Sequence, residues 1–228
     1  RVLFRSDLGI GVDHPLYAHV ETLNSLDAGY SLLKNNGLAQ ALRGVAENQN
    51  MQVENLRTFE FTRTFHLSTE KWPVKERPLL WALACGPERD PDWAHKPAAT
   101  DLWFFKGLIE ELSLKIGIPL SFQQYVERPI QDRLHPHRQL SIQLFGKEVG
   151  LLGEVHPTLI KRYGIRRYRP CYLELDLEAL EIPTQEIIIE LPGPRPPSQR
   201  MLAFTLPQGQ QASAVAELIR QKAPAALQ

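Results

Sequence analysis

Between residues 29 and 50, apolar side chains recur at helical spacing: Leu32, Leu33, Leu38, Ala41, Leu42 and Val45. The spacing predicts a helix over Gly29–Asn50, weakened at Gly37 and Gly44 because glycine costs a helix about 1 kcal/mol relative to alanine. From Leu56 to Phe65 the period shortens to two. Leu56, Thr58, Glu60, Thr62 and Thr64 alternate with Arg57, Phe59, Phe61, Arg63 and Phe65, which gathers three aromatics on one side, the pattern of a half-buried strand. Leu79–Cys85 is a compact apolar run that ends at Gly86-Pro87 and reads as a buried strand stopped by a turn. A polar loop follows from Pro87 to Thr100. Asp101 then starts a helix with Trp103, Phe104, Leu108, Leu112 and Ile116 along one face, ended by Gly117 and Pro119. Leu140–Leu144 and Val149–Val155 are two short strands, with Gly146-Lys147 as the hairpin signal between them. Pro157 opens a short helix over Thr158–Tyr163, and Gly164 ends it. Tyr172–Leu177 alternates again and reads as a strand.

Residues 191–198 hold four prolines and one glycine, a linker composition. Beyond them Met201–Leu206 reads as a strand, and Ala212–Lys222 as a helix with Val215, Leu218 and Ile219 on one face. One strand and one helix cannot bury their apolar faces alone, so 199–228 is expected to be the start of a second domain, cut short. The whole is an α+β chain: a largely antiparallel sheet with helices on one face over 7–190, then a linker, then a βα piece. Residues 1–6, Arg1-Val2-Leu3-Phe4-Arg5-Ser6, resemble the in-frame translation of a common sequencing adapter and are expected to lie outside the fold.

Charge and chemistry narrow the function. Lys plus Arg and Asp plus Glu are both 26, so no global field draws in nucleic acid and any RNA contact must use a local patch. Cys85 and Cys171 sit among apolar residues and read as small core residues of a reducing, cytoplasmic compartment rather than a disulfide. No apolar stretch reaches the roughly 20 residues needed to span a bilayer. P-loop, G-x-G-x-x-G and G-x-S-x-G motifs are absent. His135-Pro136-His137 reads as turn and surface rather than as metal ligands, and no CxxC or HExxH stands beside it. The chemistry that does stand out is basic. Lys161, Arg162, Arg166, Arg167 and Arg169 fall within nine residues and interleave with Tyr163 and Tyr168, a mixture that suits phosphates and stacked bases. A plainer reading has Lys161 and Arg162 favouring the C-terminal end of a helix and the other cations covering a loop. Gly146 suits a positive-φ turn, and Gly150 and Gly153 leave flat places where another backbone can approach.

A resemblance adds to this. Leu134-His135-Pro136-His137-Arg138, Ile142, Gly146, the run Gly150 to Pro157 and Tyr172-Leu173-Glu174-Leu175-Asp176-Leu177 resemble the closing part of the synthetase-like core module of phenylalanyl-tRNA synthetase β chains. In that run Gly146, Gly150, Gly153, Glu154, His156 and Pro157 carry the motif; position 137 is His where the family usually has Gly. Leu56–Phe65 resembles the family's "lrlFEiGrvF". Trp93 and the helix from Asp101, with Phe104-Phe105-Lys106-Gly107 and Glu110, resemble its "W…dFfdlKG.ve". Glu21–Asn50 matches poorly, with Lys34 where an Arg is common. Pro196–Phe204 resembles the start of a ferredoxin-fold anticodon-binding domain, with Arg200 in the place of that domain's Arg and a further RNA-facing candidate.

The resemblance implies a class II synthetase-like module that does not activate an amino acid. It would pack against the catalytic α subunit and support tRNA(Phe) binding. ATP and Mg2+ would be used by the whole enzyme, with no cofactor on this chain. The residues agree: Arg57 and Glu60 are one position out of register with the arginine–acid pair that an ATP-binding class II site carries on a strand, and the glycine strand leads to Glu154 and His156 rather than to an arginine. The other reading is a stand-alone RNA-binding or protein-interaction module using residues 161–169.

Overall fold

In a computed structural model of the chain, residues 8, 17–25, 31–69, 72–89, 92–94, 97–124, 133–180, 201–207, 210 and 212–223 are described. The expected adapter segment, the linker 191–198 and Arg200 lie outside the described residues. The chain divides into two compact units, Arg1–Gln185 and Glu186–Gln228.

The first unit is built on six antiparallel strands: β1 (Leu56–Leu67), β2 (Val74–Cys85), β3 (Leu120–Gln124), β4 (Leu134–Leu144), β5 (Lys147–Val155) and β6 (Cys171–Asp176). They lie side by side in the order β1-β2-β6-β5-β4-β3, so β6 is central and β1 and β3 are the edges. Among the described residues three helices accompany them: α1 (Leu38–Asn50), α2 (Leu102–Ile116) and α3 (Pro157–Arg162).

The helices lie on both faces of the sheet, which corrects the one-face arrangement expected from the sequence. The reason is in β2. Leu79, Trp81, Leu83 and Cys85 join Leu38, Leu42 and Val45 of α1 and Leu159 of α3 in one core. Ala82 and Ala84, which alternate with them, join Phe105 and Ile109 of α2, with Ile142, Leu152 and Leu173, in another. A strand apolar on both sides must be covered twice. Each fully buried Leu or Ile, such as Leu42, Ile109 and Leu152, contributes about 1.5–3 kcal/mol.

Several boundaries move. The helix expected from Gly29, α1, starts at Leu38. Leu32 forms an isolated bridge with Glu21, and Asn36 accepts a hydrogen bond from the Leu38 amide at 3.1 Å. Gly37 fits because the Trp81 indole lies against it: an added Cβ would sit 2.2 Å from an indole carbon. In α2 the buried stripe is Phe105 and Ile109, while Trp103, Leu108 and Ile116 are exposed. At helical spacing Phe105, Ile109, Leu112 and Ile116 share one arc while Trp103 and Phe104 lie off it, so the expected face was wrongly phased. Its start is as expected: Asp101 accepts from the amides of Trp103 and Phe104 at 2.9 and 3.2 Å. The short edge strand β3 was not expected from the sequence; its five residues follow directly on the Gly117–Pro119 stop.

β1 keeps its alternation but reverses its expected orientation. Phe59 and Phe61 are 69% and 67% exposed, while the opposite side, with Thr64 buried and Glu60 half-buried, turns toward α1. Alternation fixes which residues share a face, not which face is covered.

The second unit carries α4 (Ala212–Lys222) as expected. Met201–Pro207, expected in part as a strand, has no regular structure, and Met201, Leu202 and Phe204 are exposed. A strand needs a neighbour for its backbone groups, and among the described residues of this unit there is none.

Candidate functional site

The stretch Gly146–Pro157 folds as a hairpin arm, a strand and a helix start. The turn falls one residue earlier than expected, at Phe145-Gly146, with φ of +49° and +77°. Both values are those of a type I′ turn, whose twist matches the flanking strands. Gly150 and Gly153 lie where neighbouring backbones press on β5. A Cβ at Gly150 would meet the Glu174 carbonyl oxygen at 2.3 Å, and one at Gly153 the Arg138 carbonyl oxygen at 2.7 Å. Glu154 is buried, and its carboxylate accepts from Arg138 at 2.7 Å and from Arg169 at 3.5 Å. His156 caps α3, its Nδ1 accepting from the Thr158 amide at 3.3 Å, and Pro157 occupies the first turn.

The basic segment is brought together only in part. Arg167 pairs with Glu54, and Arg169 with Glu154. Lys161, Arg162 and Arg166 are exposed. Tyr163 and Tyr168, expected to interleave as stacking surfaces, instead pack half-buried against the α1-side core. The loop is fixed to the end of α1 by a reciprocal pair of hydrogen bonds: Gln49 Nε2 donates to the Arg166 carbonyl at 3.0 Å, and the Arg166 amide donates to Gln49 Oε1 at 2.9 Å. The result is an open groove of about 510 Å3 lined by Gln49, Gln52, Glu54, Gly164, Arg166 and Arg167.

A polar network on the α1 side of the sheet was not legible as a unit. Lys34 donates to Glu60 at 2.8 Å, and the Trp81 indole N–H donates to the same carboxylate at 3.1 Å. Burial pushes the Glu60 carboxyl up, but hydrogen bonds led by Lys34 outweigh it and hold the group below the ordinary carboxylate range. Tyr172, fully buried and stacked 6.5 Å from Trp81, donates to Glu174 at 2.8 Å; Arg133 lies 3.5 Å from the same carboxylate. A smaller recess of about 270 Å3 beside it is lined by Thr64, His66, Arg77, Glu148, Glu174 and Asp176. The signal was Glu60 and Glu174 at core-facing positions, but their partners come from distant segments.

Arg57 and Glu60 project from opposite sides of β1. The Arg57 guanidinium lies 5.3 Å from the Phe104 ring centre and donates to the carbonyls of Pro87 and Glu88, whereas Glu60 faces Trp81. The two therefore do not converge on one ligand. Cys85 and Cys171 also face opposite sides of the sheet, and both are free thiols. Burial pushes the Cys85 thiol up to about 11.

Residues 6–177 match the family described as the phenylalanyl tRNA synthetase beta chain CLM domain. The chain belongs to this family. It is similar to the phenylalanine–tRNA ligase beta subunit of Carboxydothermus hydrogenoformans, 32% identical over 93% of this chain and 26% of that protein. It is also similar to those of Listeria innocua, 27% identical over 84% of this chain and 24% of that protein, and Thermotoga maritima, 25% identical over 86% and 24%. The chain thus spans about a quarter of the length of the curated relatives it matches. Among solved structures, pyrrolysyl-tRNA synthetase from Desulfitobacterium hafniense superposes with a TM-score of 0.53 at 15% identity, over 77% of this chain and 56% of that one. That likeness fixes the fold: a six-stranded antiparallel sheet with helices, shared with a class II tRNA synthetase. No helix among the described residues is long and apolar enough to cross a membrane.

Proposed function

We propose that this chain is a non-catalytic part of a phenylalanine–tRNA ligase β subunit, acting in the cytoplasm, that packs against the α subunit and supports tRNA(Phe) during ATP-dependent charging. Family membership supports the setting. The observation that carries the non-catalytic role is the divergence of Arg57 and Glu60. Adenylate chemistry needs cations preorganised around phosphates, and here the β1 arginine is turned to the other face of the sheet, onto Phe104. ATP and Mg2+ then belong to the partner subunit, and this chain binds neither. The packing role is supported by apolar surface without cover among the described residues: Phe59 and Phe61, in edge-to-face contact at 6.0 Å, and Trp103, 65% exposed, on the same side of the sheet. We read 7–190 as the synthetase-like module, 191–198 as linker and 199–228 as the beginning of a ferredoxin-fold anticodon-binding domain.

Co-expression with an α subunit tests the packing role. Co-purification in fixed stoichiometry is expected, and its weakening by the double change Phe59→Ser and Phe61→Ser. A well-folded monomer that leaves the α subunit behind contradicts it.

A further inference from the structure

We infer that the groove between the end of α1 and the 164–167 loop binds the sugar-phosphate backbone of a folded RNA. This rests on the ligase reading, in which tRNA is the RNA at hand, and it names the place on the chain that holds it.

The first observation is conformational. Among the described residues only three non-glycine residues have positive φ: Phe145, explained by its I′ hairpin, Gln52 at +64° and Arg167 at +65°. Gln52 follows the C-terminal end of α1. Its amide donates to Gln49 and the Val53 amide donates to Asn48, the double hydrogen bond of a helix stop in which the left-handed residue is usually glycine. Glycine would serve the fold better at both positions, since a left-handed non-glycine residue costs on the order of 1 kcal/mol. Long polar side chains stand there instead, and both line one groove.

The second observation is the groove's charge. It holds two guanidinium groups, Arg166 and Arg167, against one carboxylate, Glu54. Glu54 is taken by Arg167, while Arg166 has no acidic partner among the described residues. Lys161 and Arg162, also exposed and without an ion pair among the described residues, precede the lining residue Gly164 in the chain. The side-chain amides of Gln52 and Asn50 add neutral donors. An anion that accepts several spaced hydrogen bonds fits this set.

The third observation selects the kind of RNA contact. Tyr163 and Tyr168 pack half-buried against the core and do not line the groove. Without stacking platforms the groove reads phosphate and ribose rather than sequence, as proteins do on structured RNA. The Gln49–Arg166 hydrogen bonds hold the loop before the ligand arrives, so little ordering is required on binding.

Fluorescence anisotropy of the 228-residue chain with a tRNA transcript, a short RNA duplex and oligouridine, each over a series of salt concentrations, tests the inference. Weak binding is expected, with Kd of about 10–100 micromolar at physiological salt, similar for tRNA and duplex and weaker for oligouridine. Arg166→Ala should make the logarithmic salt slope shallower by about 1. Glu54→Gln, which frees Arg167, should steepen it by about 1 and tighten binding. Gln52→Gly should raise thermal stability while weakening binding, a pairing that a purely structural glutamine would not give. An unchanged salt slope in both Arg166→Ala and Glu54→Gln overturns the inference, and so does RNA binding that Gln52→Gly leaves intact. If Arg166→Ala lowers α-subunit co-purification and leaves RNA binding alone, the groove is a protein contact and the inference is wrong. Failure to co-purify in the unaltered chain sinks the ligase reading instead, so the two failures are distinguishable.

Discussion

Replacing Gly150 by alanine should be among the most damaging single-atom changes in this sheet. The added Cβ would sit 2.3 Å from the Glu174 carbonyl oxygen, 2.7 Å from Leu175 Cδ2 and 3.2 Å from Leu175 Cα. An ordinary carbon–oxygen contact needs about 1 Å more, and the nearest obstacle is backbone of β6, the central strand, which cannot rotate away. Overpacking of this kind costs about 1–3 kcal/mol, and stretching a β5–β6 hydrogen bond adds about 1. The lower freedom of the unfolded alanine chain returns about 0.4–1 kcal/mol. The net loss is about 2–3 kcal/mol, or a fall in Tm of roughly 5–10 °C for a unit of this size. Gly44→Ala is the control. It lies within α1 with nothing within 4 Å of its added Cβ, so helix propensity alone acts and the protein should gain up to about 1 kcal/mol. Urea denaturation followed by far-UV circular dichroism measures both. A Gly150→Ala variant that unfolds within about 0.5 kcal/mol of the parent, or a shift of both variants in the same direction, would show that close packing at Gly150 does not limit the strand.

Two further outcomes follow. Burial raises the Cys85 thiol from 9.0 to about 11. A raised folded-state value means stability fully present below pH 9 and lost as pH rises through 11. The loss is about 3 kcal/mol at about 1.4 kcal/mol per pH unit, and Cys85→Ala should be flatter than the parent by that amount across the same window. Asp101→Ala removes the cap of α2 and should cost about 1 kcal/mol in urea denaturation, while Asp101→Asn, which still caps, should cost clearly less.

Much of this fold was legible because local physics and tertiary structure agree. Asp101 and Gly117 bracket α2 as capping chemistry demands. The Gly150 and Gly153 positions are close-approach sites, as their place in a strand suggested. Most of the failures share one cause. Phe59 and Phe61 were grouped correctly on one side of β1, but which side a neighbour covers is decided by strands and helices distant in sequence. In α2 the miss was one of phase: Trp103 and Phe104 were placed on the buried face, whereas the arc through Phe105 and Ile109 carries it. At the basic segment the cations were legible but not their partners: Glu54 lies 113 residues from Arg167 and Glu154 sits on β5, and they sort Arg167 and Arg169 from Lys161, Arg162 and Arg166. The recess beside Glu174 was invisible for the same reason, since its walls come from separate strands.

The central claim is that the module keeps a class II synthetase sheet without its adenylation chemistry. Phenylalanine-dependent ATP–pyrophosphate exchange by the purified chain tests it most directly. No exchange above background is expected, because Arg57 and Glu60 face opposite sides of β1. Exchange that rises in proportion to the chain and disappears with Glu60→Gln would contradict it.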